Sequence, residues 1–261
     1  MRKIAVAMAK GGVGKTTTAV SLAHGLALNG ANVVLVDCDT QAQASGFLGV
    51  KPPYGLYEFV TGQGKDGAPV VKSDALYLVR DNLWLISGGV LLVELKNRLG
   101  EQPADRRHGI LAEALIPRDG SVDYLIFDCS PGWDVLSVNI LMAADEVLCP
   151  VALQGPALDG LKTFFGYLLS AQKLNPALRL KYVLPTMFDR RTRHSFAILA
   201  LLEKHFSRQM CEPVGYNTSL SEAATEGKTI FEHRPGSPGA EGYRKLIRRV
   251  MDDGKKEKQN A

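Results

Sequence analysis

Apolar residues along this chain form two kinds of segment that alternate over most of its length. Short apolar runs are typical of buried strands in a parallel sheet, and they occupy residues 4–8, 32–37, 82–88, 123–128, 146–151 and 180–184. Apolar residues at helical spacing occupy residues 16–29, 56–60, 91–99, 109–116, 138–144, 155–174, 195–206 and 239–251. This alternation predicts an α/β fold with a doubly wound, mostly parallel sheet flanked by helices.

Three segments depart from that pattern. Residues 51–82 are the least regular, because prolines and glycines mark turns there. Residues 212–214 lead towards a last strand, and the polar residues 252–261 are expected to form a frayed tail. No linker or internal repeat divides the chain, so we expect a single domain over residues 1–251.

Composition limits the class of protein. The 261 residues are 46% hydrophobic, as in an ordinary globular chain. No basic segment followed by an apolar stretch opens the chain, which predicts no signal peptide. No run approaches the roughly 18 apolar residues of a membrane-spanning helix. We therefore expect a cytoplasmic protein.

Four cysteines are present, at positions 38, 129, 149 and 211, and none belongs to a Cys-x-x-Cys pair. Three lie in or beside predicted strands, where cysteine usually acts as a small hydrophobic residue. A reducing compartment without disulfides is the simplest interpretation. An iron–sulfur cluster shared between two copies stays open as an alternative.

The most specific motif joins the first predicted strand to the first predicted helix, where residues 10–17 read Lys-Gly-Gly-Val-Gly-Lys-Thr-Thr. Glycines allow backbone N–H groups to surround a phosphate at a helix N-terminus. In this P-loop, Lys15 is expected to contact the β- and γ-phosphates, and Thr16 to ligate Mg²⁺. The predicted nucleotide-binding residues here are Gly11, Gly12, Val13, Gly14, Lys15, Thr16 and Thr17. A glycine-rich turn without a ligand is the alternative.

Acidic residues follow two further predicted strands. Asp37 and Asp39 end the strand at 32–37, and Asp128 ends the strand at 123–128 in a Walker B pattern. Ligands of open α/β sheets bind at the carboxyl ends of the strands. We expect Asp128 to hold a Mg²⁺-bound water, since Mg²⁺ keeps most of its waters. For Asp39, a role as a helix N-cap alone is the alternative.

The P-loop differs from the general pattern, because Ala9 replaces its first glycine and Lys10 precedes the next two. This deviant Walker A form resembles the ParA/MinD superfamily of ATPases. The resemblance continues in Asp-x-Asp at 37–39, in the switch loop at 129–132, and in segments 185–192 and 219–223. It covers about residues 3–250, nearly the whole chain.

The resemblance implies a slow ATPase that uses ATP and Mg²⁺ and forms a homodimer when ATP is bound. It implies that Lys10 reaches the nucleotide of the partner copy and that Asp39 positions the attacking water. It also implies that Asp37 helps to hold the Mg²⁺ shell, and that Thr186 and Met187 lie near the adenine base.

Charge is unevenly distributed. Residues 1–150 contain 13 Lys/Arg and 16 Asp/Glu, whereas residues 151–261 contain 18 and 11. A basic half suggests a polyanionic partner, and an ordinary solvated surface is the alternative. By resemblance, nonspecific DNA would contact Arg190, Arg191, Arg193, Lys245, Arg248 and Arg249. Tyr216 and Ser219 stand where the family usually has arginines, which weakens or relocates this contact.

The function implied by these resemblances is that of a ParA/Soj-type switch. Such a protein binds nonspecific DNA, associates with the nucleoid, and partitions or positions plasmid, chromosome or protein cargo with a ParB-like partner that stimulates hydrolysis. The chain starts at the P-loop strand, so we expect no preceding helix-turn-helix and no sequence-specific operator binding.

Two other functions stay open. A MinD-like membrane ATPase would use the helix at 239–251, whose apolar face carries Tyr243, Leu246, Ile247, Val250 and Met251. Docking of this helix on the core is favoured, because a polar tail follows it. A metabolic ligase or reductase, such as a dethiobiotin synthetase-like enzyme, is the second function, and Lys10 argues against it.

One aromatic residue near the switch loop has two interpretations. Trp133 follows directly after residues 129–132. A core position is favoured over a partner surface, because large aromatic residues are mostly buried.

Overall fold

One sheet organises the computed structural model, which describes residues 1–115, 120–154 and 157–260. Its strands are β1 (Arg2–Val6), β2 (Val33–Asp37), β3 (Tyr77–Arg80), β4 (Leu83–Ile86), β5 (Tyr124–Asp128), β6 (Glu146–Ala152) and β7 (Arg179–Thr186). Their order is β3-β4-β2-β5-β1-β6-β7, and only β3 runs antiparallel to its neighbour. The predicted doubly wound, mostly parallel sheet is confirmed.

Helices cover both faces of the sheet. They are α1 (Lys15–Leu28), α2 (Gln43–Phe47), α3 (Leu56–Thr61), α4 (Leu92–Glu101), α5 (Ile110–Leu115), α6 (Val135–Ala143), α7 (Ala157–Leu174), α8 (Arg193–Phe206), α9 (Thr218–Thr225), α10 (Ile230–His233) and α11 (Pro238–Asn260). Alternate residues of a strand face opposite sides, so Ile4 and Val6 join the α1–α11 core while Ala5 joins the α4–α8 core. Ile116, Gly155 and Pro156, predicted to be helical, lie outside the described residues.

The C-terminal helix packs on the helix that follows the P-loop. Tyr243, Leu246 and Ile247 of α11 are at most 4% exposed and belong to the same core as α1. The Thr18 and Tyr243 hydroxyls lie within hydrogen-bonding distance at 3.1 Å. The prediction that this helix docks on the core is confirmed, and its apolar face is not available to a membrane.

The prediction that the polar segment after residue 251 is frayed is wrong for residues 252–260, because α11 continues to Asn260. Lys and Glu in this segment resemble a solvated tail, but tertiary contacts hold it as a helix. Glu257 forms an ion pair with Lys181, and the Tyr182 hydroxyl donates to Asp253 at 3.2 Å. Gly254 is buried, and a Cβ there would lie 3.1 Å from Arg2 Nη1.

Two strand predictions also need correction. β3 was not predicted, although residues 75–79 are apolar, because they lie in the segment that prolines and glycines mark as irregular. It is an edge strand that exposes Tyr77 and Leu78. The strand expected after residues 212–214 is absent from the described part of the chain, where only isolated bridges pair Met210 with Val183 and Gly215 with Phe188. Pro213, between them, has no N–H group to continue a ladder.

Candidate nucleotide site

The loop between β1 and α1 has the backbone shape of an anion cradle. Gly12 and Gly14 have φ angles of +71° and +88°, which are unstrained only for glycine. Gly14 is the N-cap of α1, and no side chain of the described residues caps this helix end. The first N–H groups of α1 are therefore available to a phosphate group.

The side chain of Lys15 lies inside this loop and contacts its backbone. Its side chain is 7% exposed, and its ammonium donates a hydrogen bond to the Lys10 carbonyl at 3.0 Å. Burial lowers the pKa of Lys15, and the Asp128 carboxylate partly opposes that shift. The structure thus places a charged side chain between the glycine loop and the acid at the end of β5.

Asp128 is a buried acid at the carboxyl end of β5. It is 1% exposed, and neither carboxylate oxygen has a hydrogen-bond partner of normal geometry among the described residues. Burial and the nearby Asp37 raise the pKa of Asp128, while the Thr16 hydroxyl and Lys15 favour its charged form. Buried acceptors in proteins nearly always have donors, so Asp128 is poised for a ligand that brings its own.

Asp37 has a different environment, although it lies opposite Asp128 in the β2–β5 register. Its Oδ1 accepts from the Asp39 N–H at 2.9 Å, and its Oδ2 accepts from the Ala44 N–H at 3.0 Å. Burial raises the pKa of Asp37 to about 7, against the effect of these hydrogen bonds. The observed role of Asp37 is to shape the loop that carries Asp39.

Asp39 faces the cavity above the P-loop. Its Oδ1 accepts from the Gln41 N–H at 3.0 Å, so it forms a local turn. The N-cap of the following helix α2 is Ala42, with a positive φ of 48°. The alternative that Asp39 serves only as a helix N-cap is therefore wrong.

Lys10 is half-buried at the entrance to the P-loop. Its stem lies against α7, where a Cβ added to Gly160 would come within 3.0 Å of Lys10 Cβ and 3.3 Å of Met8 Cε. The glycine at position 160 thus allows α7 to approach the lysine closely.

A cavity of about 580 Å³ connects these elements. P-loop residues, Asp39 and the end of β7 form parts of its wall: Gly11, Gly12, Gly14, Lys15, Thr16, Thr17, Asp39, Thr186 and Met187. The Thr186 hydroxyl donates to the Val13 carbonyl at 2.9 Å, which ties the end of β7 to the P-loop. The structure therefore brings the predicted phosphate and base residues around one space.

Sequence reasoning missed part of this cavity wall. Val214, Gly215, Asn217 and Leu220 line the end near Met187, although the sequence analysis considered this segment only for DNA contact. The sequence did contain a signal for this loop, because Pro213, Gly215 and Asn217 are residues typical of turns. In the structure, the Asn217 side chain caps α9 by accepting a hydrogen bond from the Ser219 N–H.

The switch loop after β5 is fixed at its far end. Trp133 is half-buried and stacks on Tyr167 of α7, with ring centroids 4.9 Å apart. Asp134 caps α6 by accepting from the Ser137 N–H at 2.9 Å, and it pairs with Lys96 of α4 at 2.8 Å. The favoured interpretation of Trp133 is confirmed, because its ring packs against the core.

All four cysteines are buried and free. Burial raises the pKa of the Cys38, Cys129 and Cys149 thiols, which makes them poor nucleophiles and poor metal ligands. An iron–sulfur cluster shared between copies needs accessible thiolates, so the structure does not support that alternative.

The predicted DNA-binding residues do not form one group. Arg190, Arg191 and Lys245 line a second hollow of about 840 Å³. This hollow shares Gly215, Tyr216 and Asn217 with the nucleotide cavity. Arg193 is exposed at the start of α8, close to this hollow in sequence.

Two members of the predicted DNA set lie elsewhere. Arg248 lines a groove beside Leu28 of α1. Arg249 lies over the Tyr182 ring at 5.6 Å and donates to the Met210 and Arg208 carbonyls. Arg249 therefore stabilises the docking of α11, and its inclusion in a DNA surface with Arg190 is not supported by its position.

Among residues 1–115, 120–154 and 157–260, no helix has the length and apolar composition to cross a membrane.

Comparison with known proteins identifies close relatives. Residues 1–180 match a family described as an AAA domain. The chromosome-partitioning ATPase Soj of Thermus thermophilus is 39% identical over 253 residues, which cover 96% of both chains. The sporulation initiation inhibitor protein Soj of Bacillus subtilis is 34% identical, over 96% of this chain and 98% of the relative.

Solved structures show the same fold. Cobyrinic acid a,c-diamide synthase from Mycobacterium smegmatis, with bound ADP and magnesium, superposes with a TM-score of 0.81 at 29% identity, over 98% of this chain and 96% of that chain. The septum site-determining protein MinD from Pyrococcus horikoshii, complexed with Mg-ADP, superposes at 0.76 with 22% identity over 95% of each chain and shows the fold alone. From its P-loop architecture and its full-length similarity to the Soj proteins, the chain belongs to the Soj/ParA family of the ParA/MinD superfamily of P-loop ATPases.

Proposed function

We propose that this protein is an ATP-hydrolysing dimerisation switch that binds nonspecific DNA and partitions or positions a cargo with a ParB-like partner. One observation carries the proposal: a single cavity brings together the P-loop, Asp39 and the segment at Thr186 and Met187. Similarity to two Soj proteins over 96% of the chain supports the cargo-partitioning role. We also propose that the chain is one domain and that its ATP-bound form associates with the nucleoid.

The residues of this chain act on ATP mainly by position and charge. The helix N-terminus at Gly14 and the Lys15 ammonium would bind the phosphates, after Lys15 leaves the Lys10 carbonyl that it now contacts. Asp39, at the cavity wall, would accept a hydrogen bond from the attacking water and orient it towards the γ-phosphate. Phosphoryl transfer depends chiefly on such positioning and electrostatic stabilisation.

Thr16 and Asp128 fit the requirements of a Mg²⁺ site. Buried carboxylate oxygens without donors suit metal-bound waters, and Mg²⁺ retains several waters when it binds proteins. No group of three His, Cys, Asp or Glu residues in the described part of the chain is arranged to hold a metal directly, which agrees with a water-mediated site. Asp37 would contribute through the loop that it shapes. When bound, Mg²⁺ would neutralise charge on the phosphates.

Lys10 connects nucleotide state to assembly in this proposal. The aliphatic part of the Lys10 side chain packs against α7 near the nucleotide cavity. In a dimer, the Lys10 ammonium would contact the γ-phosphate of the ATP that the second copy binds. ATP would then favour the dimer and hydrolysis would release it. The resulting cycle is a slow switch, in which a partner protein controls the lifetime of the dimer.

DNA would bind at the second hollow, beside Arg190, Arg191 and Lys245. This position supports coupling to nucleotide, because Gly215, Tyr216 and Asn217 form part of both cavity walls. Binding through phosphates would be steeply salt-dependent, since it releases counterions.

Binding to nonspecific duplex DNA tests the proposal. The purified protein is titrated with no nucleotide, ADP or ATP with Mg²⁺ at two salt concentrations, beside Lys10→Ala and Arg191→Ala. We expect salt-sensitive binding only with ATP, lost in both variants. Arg248→Ala is the matched control, because Arg248 lies outside the hollow. Absence of duplex binding in every nucleotide state contradicts the DNA part of the proposal.

A further inference from the structure

Two solvent-exposed aromatic rings lie beside three arginines near the end of β7. Phe196 and Tyr216 are 51% and 59% exposed. Phe188 lies between them: its ring meets Phe196 nearly edge-on at 5.1 Å, and its carbonyl accepts from the Tyr216 N–H at 3.0 Å. We define the aromatic–basic surface as Phe188, Arg190, Arg191, Arg193, Phe196 and Tyr216.

These side chains are neighbours in space. Arg193 and Phe196 are three residues apart on α8, so they share one helix face. Arg190, Arg191 and Tyr216 line the same hollow. Phe188 also lines this hollow. The contact between the Phe188 and Phe196 rings therefore joins this hollow to the face of α8 that carries Arg193 and Phe196.

The surface carries a positive excess. Two acids line the neighbouring hollow, and both are paired: Asp189 with Arg191 at 2.8 Å and Glu241 with Arg244 at 3.6 Å. The nearby Glu212 is paired with Lys245. Arg190 and Arg193 form no ion pair with any described residue. An anion can therefore bind these two guanidinium groups without breaking an ion pair.

We propose that the aromatic–basic surface binds single-stranded nucleic acid, with unpaired bases stacked on Phe196 and Tyr216 and phosphates beside the arginines. The inference rests on the proposed function in one respect, that nucleic acid binds on this side of the protein. Exposed aromatic rings within a basic groove are the features that bind single strands without sequence preference. In a duplex the faces of the bases are stacked on each other. A duplex would therefore contact the arginines through its phosphates, and the rings of Phe196 and Tyr216 would stay exposed to solvent.

Tyr216 is central to this preference. Its exposed side chain presents a ring and no charge, so it favours contact with a base face over contact with a phosphate. The same residue lines the nucleotide cavity. A base stacked on Tyr216 would therefore lie next to the nucleotide site, and single-strand binding should respond to bound nucleotide.

Fluorescence anisotropy of the full chain tests the proposal. The probes are an oligothymidylate of about 16 nucleotides and a duplex of equal length, each with ADP or ATP and Mg²⁺. We expect Phe196→Ala and Tyr216→Ala to weaken single-strand binding roughly tenfold each. Phe196 lines neither the nucleotide cavity nor the second hollow, so Phe196→Ala should change duplex binding little. Tyr216→Phe should retain binding, and Tyr216→Arg should shift preference towards the duplex. Tyr77→Ala removes an exposed ring on β3, at the opposite edge of the sheet, and is the matched control.

The outcomes separate this inference from the proposed function. Ring-dependent single-strand binding without any ATP-dependent duplex binding supports the inference and contradicts the DNA part of the proposed function. ATP-dependent duplex binding in which Phe196→Ala weakens binding of both probes equally, or of neither, overturns the inference alone. If neither probe binds in any nucleotide state, both fail, and a protein partner becomes the better occupant of the surface.

Discussion

Asp37 and Asp128 lie opposite each other on the neighbouring parallel strands β2 and β5, and both are at most 1% exposed. Their environments nevertheless differ. Asp37 accepts two backbone hydrogen bonds, whereas Asp128 has no hydrogen-bond partner of normal geometry among the described residues. Asp37 therefore fixes the loop that carries Asp39, whereas the Asp128 carboxylate remains available to a ligand.

This difference predicts a pH-dependent stability cost from Asp128. Burial raises its pKa above the ordinary value of 3.8 in the folded state, so the folded protein keeps a proton that the unfolded chain has lost. Stability therefore falls as pH rises from about 4 towards the raised folded pKa. Asp128→Asn removes this cost, and its free energy of unfolding should exceed that of the wild type near pH 7.

Urea unfolding without nucleotide at several pH values measures this margin, which should grow from pH 4 to pH 7. Asp123→Asn is the control, because Asp123 is exposed at the other end of β5, and it should stay within about 0.5 kcal/mol of the wild type. Hydrolysis of Mg-ATP should fall about 100-fold in Asp128→Asn. A stability margin that does not vary with pH contradicts the prediction.

Gly160 is predicted to position Lys10. Alanine at 160 would place a Cβ 3.0 Å from Lys10 Cβ and displace the lysine from α7. We expect Gly160→Ala to lower ATPase activity and ATP-induced dimerisation about tenfold, measured by phosphate release and light scattering. Gly166→Ala, in the same helix but with open space around it, should keep activity and gain about 0.5–1 kcal/mol of stability. Equal activity in both variants is the outcome that rejects this role.

Gly88 is predicted to set the position of the acidic loop. A Cβ there would lie 2.2 Å from the Asp39 carbonyl oxygen and 2.9 Å from Asp37 Oδ1. The loop must move, and a displacement of about 1 Å can lower catalysis roughly 100-fold. We expect kcat to fall in Gly88→Ala while nucleotide affinity changes less, because the P-loop is not displaced. Gly100→Ala, with no atom within 4 Å of the added carbon, serves as control, and an unchanged kcat in Gly88→Ala argues against the prediction.

Packing of α11 on α1 predicts a structural role for Ile247. The side chain is 4% exposed, so Ile247→Ala should lower the free energy of unfolding by about 2–4 kcal/mol. Leu28→Ala, at a residue 62% exposed on α1, should change it by less than about 0.5 kcal/mol. Sedimentation with anionic vesicles should show no nucleotide-dependent binding by the wild type. Binding that depends on Ile247 would show that this face leaves the core to meet a membrane.

Local sequence determined much of the fold and the nucleotide site. Apolar runs and helical spacing predicted six of the strands, since burial on both faces of a sheet leaves a continuous signal. Residues 10–17, Asp39 and Asp128 were identified from motifs whose backbone requirements act over only a few residues. The cavity confirms that the P-loop, Asp39, Thr186 and Met187 lie together, while their individual chemical roles stay predictions.

Other features depend on contacts between residues distant in the chain, which no local pattern contains. The sequence could not show that Asp37 has two backbone donors while Asp128 has no donor of normal geometry among the described residues, because the loop at 39–44 supplies the donors to Asp37. Composition suggested a free tail after residue 251, but ion pairs with β7 hold it as a helix. Family resemblance placed Arg249 and Arg190 on one DNA surface, whereas in the structure Arg249 lies over the Tyr182 ring and stabilises the docking of α11. Motifs and apolar periodicity thus determined the class of protein and its catalytic loops, whereas tertiary packing decided which charged groups remain available to a ligand.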